Sequence, residues 1–294
     1  MIHALYSLSL YEDHISYVRK CTLMTSQTSL ESLSDHEQQY HIKLRSGESA
    51  PYVITPGDPG RVSEIASYLD NAVEVAYHRE YRTYRGTYRG VDVSVTSTGI
   101  GGPSAAIAFE ELIKVGARVL IRVGTSGSLQ PDVCLGDLVI AQSAIRDEGT
   151  SRQYVPLAWP ATSSFDVTNA LAQAAHNQQE HQAQVGRVHV GVVHCKDAFY
   201  AEEPKLLPTY AEWQMKWEAW HRMGALCTEM EAATLFTVAQ LRRVRAGAVL
   251  SVIGETRDEE VKIAKLSNGP AILTALDAIY QLAQAESAPD ELDA

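Results

Sequence analysis

Short apolar runs rich in β-branched residues alternate with helical patterns along most of the chain, beginning near Tyr40. Strands are predicted at residues 52–55, 91–97, 118–123, 137–145, 187–193 and 246–253. Helices are predicted at residues 103–116, directly after Glu229, and from about 267 to 285. Because strands and helices alternate, the pattern predicts an α/β fold with a single domain around a mixed β-sheet flanked by helices.

The two ends of the chain lack this periodicity. Residues 1–38 are rich in Ser, Thr, Gln and Glu, which predicts a flexible N-terminal extension. Residues 287–294 form an acidic tail, so the predicted domain spans residues 39–286. The first residues lack the basic segment of a secretory signal. No stretch approaches the roughly 18 apolar residues that a membrane span needs, and we expect no membrane partner.

The overall charge restricts the classes of ligand. The chain has 294 residues and a formal net charge of −11 at pH 7. A protein that binds nucleic acid or anionic membrane with its whole surface needs a positive field, so this charge argues against both classes. Any bound anion must instead be met by a local group of arginines. The four cysteines follow no disulfide or zinc spacing, which favours a reducing cytoplasm.

The first predicted strand is followed by the sequence TPGDPGRV at residues 55–62. Gly57 permits a ligand to approach the backbone, and the N–H groups at the start of a helix suit an anion. Arg61 would add charge-assisted donors to such a site. The alternative is an ordinary strand–turn–helix in which Asp58 caps the helix and Arg61 faces solvent.

Arg122 lies inside an apolar run at residues 119–123 and precedes the segment GTSGS at residues 124–128. A guanidinium in a buried strand is costly unless it is paired. The sequence allows two kinds of partner for the Arg122 guanidinium. Arg122 forms a structural salt bridge with a carboxylate, or it binds an anion that the adjoining Gly/Thr/Ser loop also holds.

The segment GIGGPS at residues 99–104 follows a predicted strand and opens a predicted helix. It resembles the glycine fingerprint of dinucleotide-binding folds, but Ser104 stands at the third glycine position. No acidic residue follows at the end of a second strand. We therefore expect a tight turn that packs the helix closely against the sheet.

Glu229, Met230 and Glu231 stand directly before another predicted helix. Two carboxylates at a helix start can simply complement the helix dipole. They can also hold the vicinal hydroxyls of a ribose, beside a sugar ring that becomes cationic as its bond is cleaved. The sequence leaves both interpretations open.

Together these segments resemble the nucleoside phosphorylase family whose members form trimers or hexamers, and specifically its uridine phosphorylase branch. The resemblance runs from about Tyr40 to Ala285. The stretches that carry it are TPGDPGRV at 55–62, HREYRTY at 78–84, TSTGIGGPS at 96–104, IRVGTSGSLQP at 121–131, CKDAFY at 195–200 and EMEAATLF at 229–236. The resemblance implies an α/β domain with a twisted central sheet, assembled as a hexamer of three dimers.

The resemblance also implies a set of ligand-binding residues. The phosphate ligands are matched by Gly57, Arg61, Arg122, Thr125 and, from a neighbouring subunit, Arg79. The ribose ligands are matched by Glu229, Met230, Glu231 and, from the partner subunit, His41 with Tyr40. Glu80, Ile100 and Ser104 match the residues that hold a potassium ion between paired subunits in some uridine phosphorylases. Phosphate is then a co-substrate, no organic cofactor is needed, and Arg122, Glu231 and Lys205 are the expected catalytic residues.

The base-binding loop departs from the family pattern. Phe199 matches the aromatic ring against the base, but Glu203 and Lys205 stand where uridine phosphorylases have glutamine and arginine. A lysine offers a compact charge rather than a bidentate fork. Three alternatives therefore stay open: a purine nucleoside phosphorylase with Glu255 as the acid, a nucleoside hydrolase, and a catalytically silent nucleoside-binding protein.

Overall fold

The structure is a computed structural model that describes residues 37–181, 186–202, 207–257 and 260–287. The predicted N-terminal extension, apart from residues 37–38, and the predicted acidic tail, apart from residue 287, lie outside the described residues. Glu203 and Lys205, two of the three predicted base-binding residues, also lie outside them.

The described chain alternates strands and helices as its sequence predicts. The strands are β1 (Tyr52–Thr55), β2 (Asp70–His78), β3 (Tyr81–Tyr88), β4 (Val91–Thr96), β5 (Val119–Ser128), β6 (Leu138–Asp147), β7 (Ala161–Thr162), β8 (Val188–Lys196), β9 (Cys227–Glu229), β10 (Arg245–Arg257) and β11 (Glu260–Ile263). The helices are α1 (Pro59–Ala66), α2 (Gly102–Lys114), α3 (Thr150–Tyr154), α4 (Phe165–His181), α5 (Tyr210–Arg222), α6 (Ala232–Arg242) and α7 (Gly269–Ser287), with a short 3₁₀ helix at Phe199–Glu202.

All the strands belong to one mixed sheet. Its order is β11-β10-β6-β8-β9-β5-β1-β4-β3-β2, with β7 attached to β6. β10 also pairs in parallel with β5, so β5, β10, β6, β8 and β9 close into a ring of hydrogen-bonded strands. The carboxyl ends of the parallel strands β1, β5 and β10 meet at one edge, the edge where α/β folds bind ligands.

The sheet is buried on both faces, which explains its long apolar runs. Successive strand residues point to opposite faces, so Leu120 packs in one core while Ile121 packs in the other. Helices α2 and α6 cover the first face, and helices α1, α4 and α7 cover the second. Among the described residues, no helix is both long and apolar enough to cross a membrane.

The six predicted strands and three predicted helices are confirmed, with shifted ends. The hairpin of β2 and β3 was not predicted, because its positions are too polar to show a strand pattern. The predicted loop at residues 124–128 is wrong, since β5 continues to Ser128. Parallel pairing with β10 extends the strand through this glycine-rich segment.

Candidate active site

A cavity of about 770 Å³ opens at the carboxyl ends of the parallel strands. It brings together nine of the predicted site residues, namely Gly57, Arg61, Ile100, Arg122, Thr125, Phe199, Glu229, Met230 and Glu231. These residues come from segments spread over most of the described chain. The fold therefore assembles most of the predicted phosphate and ribose residues in one place.

Arg122 lies in β5 with only 5% of its surface exposed. Its Nε donates to Glu229 Oε2 at 2.9 Å, and its NH2 group lies 2.5 Å from Glu231 Oε2. Burial by itself would lower the pKa of Arg122, but Glu231 and Glu229 outweigh burial and raise the pKa. Arg122 is therefore paired with two carboxylates, as one interpretation of its sequence predicts. It also lines the cavity, and the binding of an anion there stays a prediction.

Glu229 is occupied by contacts within the protein. Its carboxylate accepts from the backbone N–H groups of Glu231 at 2.8 Å and Ala232 at 3.0 Å, at the start of α6. Its side chain is fully buried, and it also accepts from Arg122. Glu229 thus caps the helix and orients the guanidinium.

Glu231 joins two loops at the cavity wall. One carboxylate oxygen accepts from the backbone N–H of Gly101 at 2.5 Å, and the other contacts Arg122. Burial raises the pKa of Glu231 although Arg122 opposes the shift. The residue is 4% exposed, so a ligand that binds it must share these partners.

Arg61 is half-buried and differs from Arg122 in its partners. Asp58 caps α1 by accepting from Gly60 N–H at 2.8 Å, as the plainer interpretation of this motif predicts. Arg61 does not face open solvent, however, because it lines the cavity and donates to Val123 O at 3.4 Å. Burial and the nearby Arg122 lower its pKa. An anion at this position would relieve both effects.

The glycine turns bring the backbone close to this end of the cavity. A Cβ at Gly57 would lie 3.2 Å from Gly99 O, so the turn after β1 packs against the turn after β4. A Cβ at Gly124 would lie 2.7 Å from the Arg122 NH2 atom, so only glycine leaves room for this guanidinium. The segment at residues 99–104 is therefore the tight packing turn that its sequence predicts.

The cavity wall also carries an aromatic ring. Phe199 is half exposed in the 3₁₀ helix that follows β8, and Met230, Ile253 and Ile263 also line the cavity. Lys196 and Trp217 line it as well, although no sequence pattern predicted them. Lys196 lies within the CKDAFY motif, but a single lysine at a strand end gives no signal without the fold.

The other predicted residues form a second group, which we call the hairpin group: His41, Arg79, Glu80 and Ser104. None of them is among the described residues that line the cavity. Arg79 is exposed at the β2–β3 turn with a φ of 55°. His41 Nδ1 lies 2.6 Å from Glu111, and His41 O contacts His78 Nδ1 at 2.9 Å. The hairpin group is therefore held together but apart from the cavity of its own chain.

Glu255 bears on the purine alternative. It is not among the described residues that line the cavity, although its neighbours Ile253 and Gly254 are. Its carboxylate accepts from the backbone N–H of Leu135 at 3.4 Å. The described contacts therefore give Glu255 a backbone partner outside the cavity lining.

The model of the phosphorylase superfamily matches residues 51–279. The chain belongs to the phosphorylase superfamily. This membership confirms the family resemblance of the motifs and accounts for their order along the chain. It also makes a substrate-binding role the natural interpretation of a cavity that joins arginines, carboxylates and an aromatic ring.

Members of the phosphorylase superfamily resemble this chain over most of its length. A uridine phosphorylase of Treponema pallidum is 47% identical over 255 residues, which cover 85% of this chain and 96% of the relative. A guanosine phosphorylase of Halorubrum lacusprofundi is 37% identical over 255 residues, covering 83% and 99%. The crystal structure of a uridine phosphorylase from Vibrio fischeri is 33% identical with a TM-score of 0.71, covering 85% and 100%.

Proposed function

We propose that this protein catalyses the reversible phosphorolysis of uridine to uracil and ribose 1-phosphate, as a pentosyltransferase. The observation that carries the proposal is a single cavity with cationic, acidic and aromatic regions. Arg61 and Arg122 supply the cations, Glu231 supplies the carboxylate beside Met230, and Phe199 supplies the aromatic ring. These groups suit the phosphate, sugar and base of the reacting complex.

Arg61 supports the phosphate site most directly. Its guanidinium is half-buried, and burial and Arg122 lower its pKa. A phosphate beside Gly57 and Thr125 would satisfy this cation and gain backbone and hydroxyl donors. Phosphate would then lie below C1′ of the ribose, where it acts as nucleophile and as counter-charge to the developing oxocarbenium ion.

Glu231 is the proposed ligand of the ribose hydroxyls. Its carboxylate is fixed by Gly101 N–H and Arg122 before any sugar binds, so little reorganisation is needed during the reaction. Glu229 is proposed to act through Arg122, because its own oxygens are used by α6 and by the guanidinium. Met230 packs against the sugar, and no covalent intermediate or organic cofactor is required.

The hairpin group supports a shared active site. Arg79 and His41 match phosphate and ribose ligands but lie outside the cavity of their own chain, as expected of residues that serve a neighbouring subunit. We therefore propose a homo-oligomer, a hexamer of three dimers, with composite sites. The four cysteines follow no disulfide spacing, which supports a cytoplasmic location.

A potassium site belongs to the same proposal. Glu80 Oε1 and Ser104 Oγ lie 2.9 Å apart, and Ser104 Oγ also lies 2.6 Å from Thr98 O. Oxygen ligands of this kind suit a hard cation. Glu80, Ser104 and the exposed Ile100 would hold the ion between paired subunits, where it would fix the hairpin group.

Uridine is favoured over purine nucleosides by one structural observation. A purine leaving group needs an acid, and Glu255, which accepts from Leu135 N–H, is not among the described residues that line the cavity. A uracil anion is instead stabilised by donors to its carbonyl oxygens. The uridine phosphorylase among the relatives is also more similar to this chain than the guanosine phosphorylase is.

Purified protein is expected to cleave uridine only when phosphate is present, and to cleave inosine and adenosine less well. The expected product is ribose 1-phosphate, measured by chromatography with each nucleoside, with and without phosphate. Ribose formed equally well without phosphate would indicate a nucleoside hydrolase. If the protein prefers a purine nucleoside and Glu255→Ala abolishes that cleavage, a purine nucleoside is the substrate instead of uridine. If it cleaves no nucleoside, it is a binding protein.

Two inactive variants are expected to restore each other's activity if the sites are shared. Arg79→Ala and Arg61→Ala remove phosphate ligands that would come from different subunits of one site. Mixed oligomers would then contain some sites with both arginines, so co-refolded chains should regain part of the wild-type activity. Each variant refolded alone is the control. Inactive mixed oligomers, once shown to be mixed, would contradict shared sites.

A further inference from the structure

Lys196 is a buried cation in the wall of the cavity. It is the last residue of β8, it is 2% exposed, and it lines the cavity. Its Nζ donates to Thr228 Oγ1 at 2.7 Å. The side chain thus places an ammonium donor in the cavity wall.

The position of the ammonium group is close to the expected base. Nζ lies 5.9 Å from the centre of the Phe199 ring, within the range of a cation–π contact. Of the three cations among the described residues that line the cavity, Arg61 and Arg122 serve the phosphate end, and Lys196 lies beside the aromatic ring.

A chain of hydrogen bonds holds Thr228, the partner of Lys196, in place. Thr228 Oγ1 contacts His194 Nδ1 at 3.0 Å, and His194 Nε2 contacts Asp147 at 3.2 Å. The fully buried His194 ring also stacks on Trp220, with ring centroids 5.8 Å apart. The ammonium group is thus supported by a rigid interior rather than by a loop.

A second donor lies beside this support. Trp217 lines the cavity, and its ring is 5.0 Å from the His194 ring. Its buried indole Nε1–H has no hydrogen-bond partner among the described residues. A pyrimidine carries two carbonyl oxygens as acceptors, so a ligand of this class would match the donors at this end of the cavity.

We propose that Lys196 binds a carbonyl oxygen of the pyrimidine and stabilises the leaving uracil anion. This inference rests on the proposed phosphorolysis and assigns the role that the sequence analysis gave to Lys205. When the C1′–N1 bond breaks, its electron pair passes to the base and is delocalised onto the carbonyl oxygens. A phosphate oxygen forms the new bond to C1′. Lys196 keeps its protons, and the released anion is protonated by solvent.

The decisive experiment varies the leaving group as well as the lysine. Lys196→Met is expected to lower kcat/KM for uridine by ~100-fold, as loss of one preorganised charged donor does. With 5-fluorouridine the loss should be several times smaller, because fluorine withdraws electrons and the base leaves more readily. Lys114→Met, which removes the same charge from the exposed end of α2, is the control and should match wild type with both substrates.

The alternatives give different results. An equal loss with both nucleosides would assign Lys196 to structure alone and overturn the proposal. It would also be overturned if Lys205→Met, rather than Lys196→Met, showed the loss that depends on the leaving group. A wild-type protein that cleaves no uridine would contradict the proposed function itself.

A binding measurement tests the same role without turnover. Barbiturate is a pyrimidine anion at neutral pH, and uracil is its neutral counterpart. By calorimetry, Lys196→Gln, which retains an N–H donor without the charge, should weaken binding of barbiturate more than that of uracil. Equal weakening of both would contradict stabilisation of the anion, and the test remains decisive if Lys196→Met fails to fold.

Discussion

Arg122→Ala is expected to lower kcat/KM for uridine by at least ~100-fold and to destabilise the fold by about 3–5 kcal/mol. Both effects have one cause. Arg122 is a proposed phosphate ligand, and it is the partner of two buried carboxylates, Glu229 and Glu231. Without the guanidinium, those carboxylates are left unpaired at the start of α6. Steady-state kinetics and denaturant unfolding measure the two losses.

Arg242→Met is the matched control for the loss of stability. Arg242 also makes a two-point contact with a glutamate, Glu110, but this pair lies at the surface. Exposed pairs contribute about 0–1 kcal/mol, so this variant should be almost as stable as wild type and fully active. Equal stability of Arg122→Ala and wild type would mean that the buried ion group does not stabilise α6.

Arg61→Met is expected to lower kcat/KM by about 100-fold without loss of stability. Arg61 lies at the same end of the cavity as Arg122, but its described contact is a long bond to Val123 O. Burial and Arg122 lower its pKa, which means that folding places this charge in a less favourable environment. The free energy of unfolding without phosphate should therefore be unchanged or higher.

Thermal unfolding with added phosphate provides the second measurement on Arg61. A ligand at a hundredfold excess over its Kd stabilises the folded state by about 2.7 kcal/mol. Phosphate should raise the Tm of wild type by a corresponding amount and should have little effect on Arg61→Met. A variant that phosphate stabilises as much as it stabilises wild type would place the phosphate elsewhere.

These two arginines show what the sequence reveals about a site and what it leaves open. Both stand in family motifs, so both were predicted as phosphate ligands. The sequence context of Arg122 predicts burial, and that of Arg61 leaves a solvated side chain as an alternative. In the structure both arginines line one cavity, but only Arg122 has described carboxylate partners. These partners, Glu229 and Glu231, are more than a hundred positions further along the chain.

The fold class and nine of the described residues that line the cavity could be predicted from the sequence. Alternating apolar strands and helical patterns require a sheet that is buried on both faces, and this periodicity is local. The glycine turns and the Glu229–Glu231 segment can also be recognised locally, because each depends on a particular backbone conformation or on the start of a helix. Such features are visible within a few residues of chain.

Which of these residues meet depends on the tertiary structure. It pairs Arg122 with Glu229 and Glu231, and it leaves Glu255 and the hairpin group out of the described cavity lining. It also brings Lys196 beside Phe199. These relations depend on the register between strands distant in sequence, and on the two-residue alternation that sends one side chain inward and the next outward. No local pattern specifies that register.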